Sequence, residues 1–407
     1  MTVPSPTLSR PDLLHDATLP DGTRADITIR AGRIAALDPV GDRGAGDEPP
    51  VGTTIDVAGA LVLPAFVDGH VHLDKTFLGS DWQPHVTGGT IRERVAAERA
   101  LRERVRVPTA ERAAHLVRRI VALGTGHVRS HVDVDPQLGL SGLHALVEVR
   151  ERFRDVLSVQ LVAFPQSGIV TAPGTADLLD AALREGADLI GGLDPIGFDN
   201  DVEGHLDVVF GLAERHGAGI DLHLHDGGES GAGQLREIAA RTAAVGLAGK
   251  VTVSHAYCLG DLEPAAFART ADALADAGVS ILTNGPSGSM PPVLALRDRG
   301  VRVFAGSDNI RDAWWPYGTG DMLERATIVG LRQDLMSDDE LAVAADLVTD
   351  AAATALGLPD YGLTVGARAD LVVVEAASLP EAVAAHPARR LVLHAGRTVA
   401  AEGRLLG

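Results

Sequence analysis

Phe66-Val67-Asp68-Gly69-His70-Val71-His72-Leu73-Asp74-Lys75-Thr76 is the stretch whose reading decides the fold. It follows the apolar run Ala60-Leu61-Val62-Leu63-Pro64-Ala65, which reads as a buried strand. His70 and His72 are two residues apart, so on a strand both imidazoles project from the same side. Two neutral imidazoles converging at a strand end suit a divalent transition metal. A His-x-His pair on its own is equally a solvated strand face. The weight therefore falls on what answers it elsewhere in the chain.

Toward the C-terminus, from about residue 63 to 359, strand-like runs alternate with amphipathic helical stretches. After the first, strands are expected at 127–134, 158–164, 189–193, 218–223, 251–255, 279–283 and 301–305. Helices are expected at 91–105, 109–123, 175–185, 202–216, 229–244 and 262–275. Eight strands alternating with helices predict an α/β fold, a parallel (β/α)8 TIM barrel, with its chemistry at the C-terminal strand ends.

The flanks read differently. From about Leu13 to Val57 short strands alternate with turns, including 25–30, the turn Ala31-Gly32, and 33–37. The Gly-, Asp- and Pro-rich stretch 41–53 reads as a loose loop. The C-terminus repeats the strand pattern at 369–374, 391–394 and 397–399. Both ends are expected to pair into one small β domain, formed by 1–62 and 360–407, around a barrel at 63–359.

Composition narrows the function classes. The chain has 407 residues, 45% of them hydrophobic, enough for a large core plus an accessory domain. A net charge of -19 argues against a nucleic-acid partner. Cys258 is the single cysteine, so neither a disulfide framework nor a thiolate cluster is expected, and a reducing, cytoplasmic setting is the easy inference. The first twenty residues lack a basic region followed by an apolar one, and no apolar run reaches membrane-spanning length. No membrane partner is expected. Lys75 and Lys250 are the only lysines.

The expected strand ends carry polar residues in register. The first ends in His70 and His72, and the third is followed by Phe164-Pro165-Gln166-Ser167-Gly168. The fifth ends in His223-Leu224-His225-Asp226, the sixth in Ser254-His255, and the eighth in Gly306-Ser307-Asp308-Asn309. Four of these five supply a histidine or aspartate, a recurrence that isolated core histidines do not produce.

These motifs resemble the amidohydrolase superfamily, most closely its cytosine-deaminase-like branch, and are also similar to the N-isopropylammelide-type triazine aminohydrolases. The resemblance covers HVHLDKT at 70–76, RSHVDVD at 129–135, VAFPQSGI at 162–169, IDLHLHD at 220–226, VSHAYCLG at 253–260 and GSDNIRDAWWPYGTGDML at 306–323. It implies a barrel capped by a small β-sandwich built from both termini. It implies His70, His72, His223 and Asp308 as metal ligands, with His255, Gln166 and Trp314 around the substrate. Three imidazoles and a carboxylate form an N3O set for one divalent ion, zinc or iron, with room for water. Such an ion lowers the bound water's pKa from ~15.7 toward ~7, which makes hydroxide available at neutral pH. Two-metal relatives bridge their ions with a carboxylated lysine after strand four. Here that strand, 188–194, has no lysine, so one metal is expected.

Departures from the pattern bear on mechanism and substrate. The family's proton shuttle lies three residues after the strand-five histidine and is commonly glutamate; here it is Asp226, with His225 the neighbouring alternative. His255 would orient or deprotonate the attacking water, and Asp308 would accept its proton. Asn309 replaces a second aspartate of the closest bacterial cytosine deaminases. Lys75, a feature shared with the triazine aminohydrolases, reads either as a donor to a ring carbonyl or as a salt-bridge partner. Asp194, before Pro195, reads as a binder of an amino or guanidino group, or as a turn or helix cap. His131 reads as a packing residue or as one facing the barrel mouth. His115, His144, His205, His216 and His386 read as surface residues, and Tyr257 and Cys258 receive no chemistry.

The expected function is hydrolytic deamination of a cytosine-like or related nitrogen heterocycle. The alternative at the same site is alkylamine release from an s-triazine, or cyclic-amide opening. A silent barrel that binds metal or heterocycle without turnover is the third reading. A homo-oligomer is compatible with what is common among the resembling proteins.

Overall fold

The computed structural model describes residues 9–40, 52–85 and 89–406. The expected loop at 41–53 lies almost wholly outside the described residues. Eight parallel strands follow chain order in one sheet: Phe66–Val71, Thr125–Asp133, Ser158–Phe164, Leu189–Leu193, Gly219–Leu224, Val251–His255, Ser280–Thr283 and Val303–Ala305. Each lies within a few residues of its expected span. The six expected helices are also present, as Ile91–Arg102, Thr109–Ala122, Thr175–Arg184, Val202–His216, Gly228–Ala244 and Pro264–Ala277. Helix Ser141–Phe153, outside the expected set, completes the crossover between the second and third strands.

The barrel closes through residues that matter chemically. Val71 and Asp308 form a parallel bridge. The Asp308 N–H donates to the His70 carbonyl at 2.7 Å, and the His72 N–H donates to the Asp308 carbonyl at 3.2 Å. Closure therefore seats Asp308 beside the two histidines. Register levels the other strand ends, pairing His223 with Leu193 and Ser254, and Leu224 with His255.

Wall packing explains local sequence choices. Strand Leu189–Leu193 is buried throughout. At Gly192 a Cβ would lie 2.2 Å from Leu222 Cδ2 and 2.7 Å from His205 Nε2, so only glycine fits. His205 is thus fully buried, with Nδ1 2.7 Å from Asp199, not on the surface as expected. Its helix, Val202–His216, turns that position into the barrel wall, and Asp199 supplies the polar partner burial requires.

A second, largely antiparallel sheet holds nine strands among the described residues. Leu61–Pro64 from the N-terminal side runs antiparallel to Leu371–Val374 from the C-terminal side, with Leu61 opposite Val374 and Pro64 opposite Leu371. The apolar run ahead of the histidine motif is therefore a buried strand of this terminal sheet, and the barrel begins at Phe66. Between them the Ala65 N–H donates to the Asp370 carbonyl at 2.8 Å. Leu14, Ile27, Val62, Leu371 and Val373 form a core of their own. Hairpin Arg24–Arg30 and Arg33–Pro39 turns at Ala31 and Gly32, both at positive φ, which suits the twist of a two-residue hairpin.

Candidate active site and metal centre

Ligand atoms of His70, His72, His223 and Asp308 lie within 4.8 Å of one another at the barrel mouth. Asp308 Oδ1 is 3.5 Å from His70 Nε2 and 3.4 Å from His72 Nε2. His223 Nε2 is 3.4 Å from His72 Nε2. These three histidines are buried, and His70 is fully so. Burial, reinforced by the charge of Lys75, pushes His72 down to about 3. Burial also holds His223 well below the ordinary histidine value. Burial alone would raise Asp308, yet the adjacent His70 and His72 rings hold it well below the carboxylate range. His72 and His223 thus face an ionised carboxylate as neutral imidazoles.

A buried relay fixes the tautomer of His70. Arg129 Nη1 donates to Asp221 Oδ2 at 3.0 Å, and Ser254 Oγ donates to Asp221 Oδ1 at 2.8 Å. With its proton committed to Asp221, Ser254 Oγ accepts from His70 Nδ1 at 2.9 Å. His70 Nε2 is left as a lone pair, buried and without a hydrogen-bond partner. The facing Nε2 atoms of His72 and His223 share at most one proton. A cation among these atoms resolves both features, so the residues fit a divalent ion.

His72, His223 and Asp308 of this group line a cavity of about 370 Å³. Lys75, Gln166, His255, Asn309 and Trp314 line it, as does His225. Lys75 Nζ lies 3.1 Å from Asp133 Oδ1 and 3.5 Å from Glu98 Oε2, and contacts Gln166 Oε1. It stands 5.3 Å from the Trp314 ring centroid. Burial alone would lower Lys75, but Asp133 and Glu98 raise it above the ordinary lysine value, so it stays a cation. Asn309 Nδ2 donates to Asp312 Oδ2 at 2.6 Å.

Two of the expected site residues lie away from the cavity lining. Asp226 does not line the cavity. Its carboxylate accepts the Gly197 N–H at 3.1 Å and Gln234 Nε2 at 2.9 Å, tying a loop to helix Gly228–Ala244. Nor does Asp194 line the cavity as a substrate binder. It accepts the His225 backbone N–H at 2.5 Å and His225 Nδ1 at 2.9 Å. His225 in turn stacks on His255, with centroids 4.5 Å apart. One methylene fewer than glutamate leaves residue 226 within reach of a nearby backbone N–H, while the neighbouring histidine takes the cavity position.

Asp194, His255 and Asp308 all have positive φ, at 37°, 73° and 59°. Each non-glycine residue there costs on the order of 1–3 kcal/mol, a strain that clusters where side chains must be aimed. Here it turns the chain at the ends of strands four, six and eight.

Glu98, Asp133, Ser254, Asp221 and Asn284 also build the site, and the sequence reading did not single them out. Asn284 Nδ2 donates to Asp308 Oδ2 at 2.7 Å, which leaves Oδ1 toward the imidazoles. His131, read as packing, is fully buried with its ring centroid 4.0 Å from that of His70. Tyr257 lines the cavity.

Residues 53–400 match the model of the Amidohydrolase family. The chain is 34% identical over 394 residues to N-isopropylammelide isopropyl amidohydrolase of Pseudomonas sp. (strain ADP), covering 92% of this chain and 97% of that protein. The structure of N-isopropylammelide isopropylaminohydrolase from Burkholderia multivorans aligns with a TM-score of 0.92 at 44% identity, over 97% of this chain and 99% of that one. The 5-methylcytosine deaminase of Klebsiella pneumoniae, liganded with 5-fluorocytosine, aligns at 0.83 and 28% identity, over 95% and 97%. The chain belongs to the amidohydrolase family, and is a metal-dependent hydrolase of carbon–nitrogen bonds outside peptides.

Proposed function

We propose that this enzyme releases an alkylamine from an oxo-substituted s-triazine of the N-isopropylammelide kind, using His70, His72, His223 and Asp308 to hold one zinc or iron ion. The observation that carries this reading is the buried Lys75, paired with Asp133 and Glu98, in the wall of the cavity beside the ligand group. A cation there is matched by a ring oxygen, and the likeness to two N-isopropylammelide hydrolases supports the same substrate class.

The bound ion supplies Lewis acidity, which makes water nucleophilic near neutral pH. The chain's own residues do the rest. Phe164 and Trp314 line the slot that takes the flat ring, and Lys75 donates to its carbonyl oxygen. Asp308 takes the proton of the attacking water while Asn284 restrains its second oxygen. His225 Nδ1–H donates to Asp194, so its Nε2 is free to carry a proton to the leaving amine. His255, stacked on His225, holds that ring's orientation.

A second reading, deamination of a cytosine-like ring with release of ammonia, is supported by the alignment with 5-methylcytosine deaminase. The test is an assay of metal-reconstituted protein with N-isopropylammelide, cytosine and a pterin. Isopropylamine from the first substrate, abolished by chelation, is the expected result. Ammonia from cytosine alone would replace the first reading with the second.

A further inference from the structure

We infer that Glu98, a helix-borne carboxylate behind the cavity wall, is a positioning residue that locks the Gln166 amide in one orientation and thereby selects a ring edge with a carbonyl beside an N–H. The inference rests on the proposed heterocycle-hydrolase reading and deepens it. Glu98 lies on helix Ile91–Arg102 and is buried. Its Oε2 accepts Gln166 Nε2 at 2.6 Å and Trp314 Nε1 at 2.5 Å, and lies 3.5 Å from Lys75 Nζ. Its Oε1 pairs with Arg102, which also binds Asp133 at 2.8 Å. One carboxylate thus joins the ends of barrel strands one, three and eight to the helix beside the cavity.

The orientation follows from donor and acceptor chemistry. An ionised carboxylate only accepts hydrogen bonds, and an ammonium only donates. Burial alone would raise Glu98, but the charges of Lys75 and Arg102 and the Trp314 and Gln166 N–H groups hold it down at about 2. Gln166 must therefore turn Nε2 to Glu98 and Oε1 to Lys75. At the Lys75 end the wall offers a cation beside a carbonyl oxygen with a spare lone pair. A ring carbonyl fits the first and an adjacent ring N–H fits the second. The reverse amide would place two donors side by side and would suit an edge of acceptors only.

Glu98→Gln keeps the shape but can donate as well as accept, so it no longer fixes the amide. The probes are cyanuric acid, whose edge repeats the carbonyl/N–H pair, and melamine, whose edge carries ring nitrogens and amino groups instead. Calorimetric titration of the metal-loaded wild type is expected to favour cyanuric acid over melamine. In Glu98→Gln that preference is expected to fall by about tenfold, the scale of one charge-assisted hydrogen bond. With N-isopropylammelide, KM should rise by about tenfold with kcat changed less than about threefold. Metal content and melting temperature serve as folding controls, and Glu98→Asp should restore part of the preference. An unchanged preference in a folded, metal-replete Glu98→Gln overturns the role of Glu98 alone. Wild-type protein that binds neither probe overturns both this inference and the heterocycle reading beneath it.

Discussion

Asp194 and Asp226 lie close to the same histidine and hold different things. Asp194 grips His225 by backbone and ring, whereas Asp226 fastens Gly197 to Gln234 at the edge of a helix. Asp194→Asn is expected to lower kcat by about 100-fold or more, the usual scale for a disturbed acid–base pair, with metal content unchanged. Asp226→Asn should leave kcat within about threefold of wild type. Steady-state kinetics with parallel metal analysis separates the two, and the opposite ranking would return the shuttle to Asp226. The sequence could not settle this point. A carboxylate three residues beyond His223 matches the family spacing, but the direction of a short side chain at a strand end depends on backbone dihedrals that composition does not reveal. His70, His72, His223 and Asp308 stood out among polar strand ends because closing a parallel barrel brings such ends together, and the family resemblance singled them out as ligands. Ser254 and Asp221 were not, because single polar residues within apolar strands read as chance.

Helix Ile91–Arg102 is the element that most affects the cavity. Thr90 accepts the Glu93 N–H at 3.2 Å and Glu93 Oε2 accepts the Thr90 N–H at 2.9 Å, a reciprocal capping box at the first turn. Thr90, Ile91 and Arg94 line the cavity, so fraying here opens its wall. Thr90→Ala is expected to cost about 1 kcal/mol locally, read as roughly fivefold faster hydrogen exchange at the Arg94 amide with the barrel strands unchanged. No change at that amide would show that packing alone holds the turn. Glu98 was discoverable from this element's own pattern. Ile91, Val95, Glu98 and Arg102 follow the i, i+4, i+7, i+11 rhythm of a buried helix face, and a glutamate there has to meet partners. Amphipathic spacing alone marks the helix without showing which charge stands on its inner face.

Across the whole molecule, alternating strands and helices predict the barrel, and similar strand patterns at both ends predict the terminal sheet. The register that joins them, with Leu61–Pro64 on Leu371–Val374, is a long-range pairing that local periodicity does not contain. Beside it lies a buried polar cluster. Asp370 is 3.2 Å from His127 Nε2, 3.5 Å from His394 Nδ1 and 2.5 Å from Arg368 Nε. Burial pushes His394 down to about 4; Asp370 and Asp155 oppose the shift, while Arg368 and His127 add to it. Folded His394 thus stays neutral where an unfolded histidine, near ~6.5, already takes a proton. Its contribution to stability is full above about pH 6.5 and is lost as pH falls toward 4, by about 2 kcal/mol between pH 7 and pH 5. Denaturant unfolding at both pH values should show a flatter dependence in His394→Gln; equal slopes in variant and wild type would contradict this.

The most direct measurement is the metal itself. Elemental analysis of exhaustively dialysed protein, with circular dichroism as the fold control, is expected to find close to one zinc or iron per chain in the wild type. His70→Ala and Asp308→Ala should each retain less than about a tenth of that while remaining folded. Wild-type protein without a stoichiometric ion, or variants that keep the full amount, would contradict a metal centre built from these four side chains.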